Sequence, residues 1–128
     1  MDHLQHKILY SFGDSLIAGH ELKIGMLDDF VKRHQLNFHN FAVNGATVIP
    51  TKPTDHTWAS ENHVPDLATQ IKSAPAYQPD LIILDGTTND AISYVDQLHP
   101  LGKLTADFTA NNFDRNTYCG NLELIFHL

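Results

Sequence analysis

The chain has 128 residues, 42% hydrophobic and 18% charged, which is enough for one modest core and too few for two domains. Eight Lys and Arg against 15 Asp and Glu give a formal net charge of −7 with no basic cluster, which argues against nucleic acid as a partner. No apolar run reaches transmembrane length, no basic amphipathic face suits a membrane surface, and residues 1–6 lack a basic-then-apolar leader. With Cys119 the single cysteine, the cytoplasm is the expected compartment.

Ile8, Leu9, Tyr10 and Phe12 form an apolar run of strand length that Gly13 ends. The turn Gly13-Asp14-Ser15 follows, and Leu16-Ile17-Ala18 begins a helix or loop. Met26, Leu27, Phe30, Val31 and His34 recur at helical spacing, with Asp28 and Asp29 suited to a helix N-terminus. Residues 36–43 alternate loosely and are rich in Phe and Val, which predicts a second strand ending at Asn44-Gly45. The pattern dissolves over residues 46–62, among Pro50, Pro53, Asp55, Trp58 and Ser60. Long loops of this kind often carry function.

Val64, Leu67, Ala68 and Ile71 predict a helix with Pro65 in its first turn. Asp80-Leu81-Ile82-Ile83-Leu84-Asp85 is the continuous branched run of a buried parallel strand. An irregular stretch over residues 96–115 leads to a last helix, where Tyr118, Leu122, Ile125 and Phe126 share a face. The order is β-α-β-loop-α-β-loop-α, a parallel doubly wound α/β pattern with right-handed crossovers. The last helix reaches His127-Leu128 with apolar residues still arriving and no glycine cap. Residues 1–128 therefore read as the N-terminal portion of a single domain.

Each strand ends in a polar turn cluster: Gly13-Asp14-Ser15, Asn44-Gly45-Ala46, and Asp85-Gly86-Thr87-Thr88-Asn89-Asp90. Parallel strands deliver all three to one edge of the sheet, where open α/β folds bind ligands. Acyl transfer needs a nucleophile and donors aimed at the developing oxyanion. Ser15 supplies the first, and the Gly45 backbone N–H and the Asn89 side-chain amide are suitable donors. Singly, Ser15 suits a helix N-cap and Asn89 a turn. Their convergence favours chemistry.

These residues resemble the SGNH hydrolases, also called the GDSL family. Ser15 matches the block one serine, Gly45 the block two glycine, and Asn89, followed by Asp90, the block three asparagine. The resemblance implies a flavodoxin-like three-layer α/β/α sandwich with a parallel sheet, incomplete here with about three strands. It further implies serine-dependent hydrolysis of a small-molecule acyl ester, as in esterases, lipases and acylhydrolases, without a cofactor.

There are two departures. Block three usually reads Gly-x-Asn-Asp, whereas Thr87 stands at the glycine position with Gly86 one place earlier. The family's base, a His with an Asp three residues before it, lies near the domain C-terminus beyond further strands. Here Asp96-Gln97-Leu98-His99-Pro100 matches that block in letters, a few residues past block three, so His99 and Asp96 are the candidate base and orienter. The alternative is a non-catalytic truncated domain that keeps the nucleophile and oxyanion half-site and is stabilised by self-association. In the family's strand order the third strand would be a bare apolar edge, so a homo-oligomer closed through that edge is expected.

Other motifs carry less. The histidines, among them His3, His6, His34, His39, His56 and His63, form no metal-ligand signature, and no metal is expected. Asp85-Gly86-Thr87 lacks the earlier aspartate of haloacid-type phosphatases, with Ile83 in its place. Glycine-rich nucleotide loops and the Gly-x-Ser-x-Gly elbow are absent. Trp58 suits either a pocket wall or a pin between loop and core.

Overall fold

The computed structural model describes residues 2–50, 66–91 and 100–128. A parallel three-stranded sheet of β1 (Ile8–Phe12), β2 (Asn37–Asn40) and β3 (Leu81–Leu84) has the order β2-β1-β3. Tyr10 of the central strand stands opposite His39 on one side and Ile82 on the other. Strands β1 and β3 fall within their apolar runs, but β3 is not the buried strand expected: its residues are half-buried and Ile82 is exposed.

The second strand is shorter than the alternation over residues 36–43 implies. Asn40 accepts the Ala42 N–H on its own side chain at 3.0 Å, a local turn that diverts the backbone. The chain nevertheless stays extended along β1, with Phe41 N–H donating to Ser11 O and Val43 N–H to Gly13 O.

Two helices connect β1 to β2: α1 (Ser15–Ala18) and α2 (Asp28–His34). The β2-to-β3 crossover carries α3 (Leu67–Ser73), and α4 (Tyr118–His127) follows β3. Because β2 and β3 lie on opposite sides of β1, right-handed crossovers put their helices on opposite faces. β1 is accordingly buried on both faces, with Leu9, Tyr10, Ser11 and Phe12 almost fully covered. Helix α3 starts later than predicted, because Asp66 is its N-cap and accepts the Thr69 N–H at 3.1 Å. Val64 and Pro65 lie outside the described residues.

The main core cluster joins Ala46, Val48, Leu67, Ala68 and Ile125, with Leu84, Ile71 and Leu122 packed against it. Helix α4 closes it with Tyr118, Leu122 and Ile125, whereas Phe126, expected on the same face, is 69% exposed. At the opposite end of the sheet, Asp80 joins the strand starts. It takes the Ile8 N–H and the Lys7 ammonium, each at 2.8 Å. No strand pairs with the outer edge of β3 among the described residues, and Ile82 there is 62% exposed.

Candidate active site

All three strands run parallel, so their C-terminal ends open on one edge. At the end of β1, Asp14 caps α1 by accepting the Leu16 N–H at 2.9 Å. The capping duty open to a serine thus falls to Asp14, and Ser15 becomes the first residue of the helix. No group among the described residues hydrogen-bonds the Ser15 hydroxyl. Ser15 is half-buried and borders an open cavity of about 370 Å³ with Leu16, His20, Leu22, Ile24, Gly25 and Met26. Asp14 itself is buried. Desolvation lifts its carboxyl above the ordinary range and the nearby Asp85 charge adds to the rise, against the opposing Leu16 N–H.

The turn holding Ser15 is clamped from α3. The Gly13 N–H donates to the buried Gln70 side-chain oxygen at 2.9 Å, and the Gln70 amide returns a bond to Gly13 O at 3.0 Å. After β2, Ala46 N–H closes a turn onto Val43 O with Gly45 at φ 81°, a left-handed conformation suited to glycine. No acceptor among the described residues takes the Gly45 N–H.

The loop after β3 ties these turns together. The Asn89 amide donates to Asp14 Oδ2 at 3.2 Å and to Ala46 O at 2.9 Å. It therefore touches the residue before Ser15 and the residue after Gly45. Next to it, fully buried Asp90 accepts the Val48 and Ile49 N–H groups at 2.8 and 3.0 Å. Desolvation dominates there and, with the Asp14 charge, pushes the Asp90 carboxyl up to about 6 against those two bonds.

A family model described as GDSL-like lipase/acylhydrolase matches residues 9–117, which takes in all three turn clusters. The chain belongs to that family. No curated protein sequence matches it. Among solved structures it is similar to AlinE4, an SGNH-hydrolase family esterase. The identity is 22%, the TM-score 0.40, and the match covers 67% of this chain and 42% of that one. Two mutants of the same esterase match at 22% identity over the same shares, with TM-scores of 0.39 and 0.41. The chain thus spans less than half the length of these structures.

Seen against the GDSL blocks, Ser15, Gly45 and Asn89 lie on three turns at one sheet edge, joined through the Asn89 amide. Asp96, His99 and Trp58 lie outside the described residues. The block three departure has a packing reason. A side chain at Gly86 would put its Cβ 2.7 Å from Leu67 Cδ1, whereas the Thr87 side chain is exposed. The position that needs glycine here is 86.

Sequence reasoning missed Gln70, which sits on the buried face of α3 and whose polarity there was the available signal. It also missed His20. A left-handed Gly19 ends α1 after one turn and returns His20 to the Ser15 cavity, where its Nδ1 lies 2.6 Å from the Asn44 amide. No group of His, Cys, Asp and Glu suited to a metal gathers among the described residues. Nor is any helix there long and apolar enough to cross a membrane.

Proposed function

We propose that this chain is a serine acylhydrolase of the SGNH type acting on a small-molecule ester, with Ser15 as nucleophile. The Ser15 oxygen attacks the carbonyl carbon, and the ester C–O bond breaks as the alcohol leaves with a proton from the base. Water then releases the acyl group. The Gly45 N–H and the Asn89 amide hold the oxyanion. The candidate base is His99 with Asp96 as its orienter, or else a group outside this chain.

The observation that carries the reading is the Asn89 amide, hydrogen-bonded to Asp14 beside the proposed nucleophile and to Ala46 beside the proposed oxyanion glycine. Both of its amide protons are engaged at rest. Donation to an oxyanion therefore requires release of one, and the Asp14 bond is the longer at 3.2 Å against 2.9 Å.

The test is labelling by a fluorophosphonate probe together with hydrolysis of p-nitrophenyl acetate. Ser15→Ala abolishes both. Asn89→Ala lowers kcat about a hundred- to a thousandfold, as removal of one oxyanion donor does. Undiminished labelling of Ser15→Ala would overturn the assignment. A second reading is a non-catalytic half-site that holds the nucleophile and oxyanion donors without a base. A folded but inactive wild type would select it.

The β3 edge, unpaired among the described residues, and the exposed Ile82 support self-association through that strand. We place the chain in the cytoplasm, in keeping with its single cysteine.

A further inference from the structure

The turn of Ser15 and the turn of Gly45 are joined a second time, through His20. Gly19 in its left-handed conformation ends α1, and the Gly19 and His20 N–H groups both bond Ser15 O, at 3.1 and 3.2 Å. His20 is thereby anchored on the backbone of Ser15 itself. Its ring reaches the turn after β2, where the Asn44 amide donates to Nδ1 at 2.6 Å. The Asn44 side chain makes no other hydrogen bond among the described residues, and its Oδ1 is buried without a partner there.

Residues 43–46 form a β-turn closed by the Ala46 N–H on Val43 O at 3.0 Å. Gly45 is third in it with φ 81°, the value of a type II turn. The Gly45 N–H belongs to the central peptide of that turn. Types I and II differ by reversal of this one peptide, and a glycine in third place can follow either. Closure of the turn therefore does not fix where the Gly45 N–H points. Asn44 is the second residue of the turn, so a bond on its side chain bears on that peptide directly.

The chemistry of the link sets the state of the ring. An amide N–H only donates, so Nδ1 carries a lone pair and the ring proton sits on Nε2. Nε2 faces the Glu21 carboxylate at 3.5 Å, which suits a proton there. Turning the Asn44 amide over would bury an NH2 group in place of the oxygen, and unpartnered buried N–H groups are rarer than under-satisfied carbonyls. A second proton on the ring would set N–H against N–H and break the link.

Resting on the reading of Gly45 as an oxyanion donor, we infer that His20 is a positioning residue whose unprotonated Nδ1 holds Asn44 and so fixes the direction of the Gly45 N–H. Acid releases the link. Glu21 is the ion-pair partner of His20 in its own loop, α1 and the turn bring the neutral Ser15 and Asn44, and Asp14 and Asp90 lie behind the two turns.

The experiment compares wild type with His20→Leu, which removes the acceptor, and His20→Asn, whose side-chain oxygen can replace Nδ1 and does not titrate. The His20 side chain is half-exposed, so neither change touches the core. On p-nitrophenyl acetate, His20→Leu lowers kcat about tenfold at unchanged KM, less than loss of the whole donor would. His20→Asn recovers most of that loss.

The backbone amide NMR signal of Gly45 is followed in the same three proteins from about pH 8 to about pH 5, the range in which histidine takes up a proton. It moves in His20→Leu and returns toward the wild-type position in His20→Asn. In acid it moves further in wild type than in His20→Asn, since Asp14 and Asp90 are common to both and cancel. If the signal behaves so and no ester is hydrolysed, the link stands and only the catalytic reading fails. A Gly45 signal indifferent to His20→Leu, an Asn variant that behaves as the Leu variant does, or an equal acid response in wild type and His20→Asn overturns the inference.

Discussion

Asp90 offers the sharpest test of how the site is held. Its carboxylate is fully buried, accepts two backbone N–H groups, and has a pKa of about 6 because desolvation outweighs those bonds. In the unfolded chain an aspartate titrates near 3.9. The native state therefore binds this proton more tightly than the unfolded state, and the linked stability is fully present below about pH 4. It is lost as pH rises through about 6. The pKa difference of roughly two units corresponds to about 3 kcal/mol.

Asp90→Asn keeps the shape and removes the titration. It also aims one amide N–H at a backbone N–H, which adds a pH-independent cost. Urea unfolding of wild type and variant at intervals from pH 4 to pH 7.5 isolates the effect, because groups common to both cancel in the difference. The stability of wild type relative to the variant should fall by about 3 kcal/mol across that range. A difference that stays flat, or that rises with pH, would refute the reasoning. It would show that the Val48 and Ile49 N–H groups stabilise the charge by more than burial opposes it.

Gln70→Leu removes both bonds to Gly13 and leaves a buried N–H unpaired, so urea unfolding should show a loss of about 2–4 kcal/mol. An effect below half a kcal/mol would mean the clamp is replaced by water. Light scattering at micromolar concentration should give a dimer or larger species, and Ile82→Lys on β3, whose outer edge is unpaired among the described residues, should shift it to monomer. A wild-type monomer would remove the case for self-association through β3.

The elements that depend on short-range pattern were legible in the sequence. The branched run at Leu81–Leu84 announced a strand, and the apolar spacing from Tyr118 onward announced a helix against the core. Gly13-Asp14-Ser15, Asn44-Gly45-Ala46 and the cluster ending at Asn89-Asp90 announced turns by their chemistry. Parallel order then required one edge for all three.

What joins those turns needed the tertiary structure. Gln70 reaches Gly13 across 57 residues of sequence, and Asn89 reaches Asp14 across 75. Such pairings arise because buried backbone and side-chain polar groups must find partners wherever packing leaves them, and no periodicity encodes that need. Local competition was equally hidden. Asp14 rather than Ser15 became the helix cap, and Asn40 ended its strand by turning its side chain on its own backbone. The requirement for glycine at 86 comes from its positive φ of 155° and from Leu67, of another helix, which occupies the space a side chain would fill. Sequence pattern set which residues stand at the sheet edge, and three-dimensional packing decided which of them hold one another there.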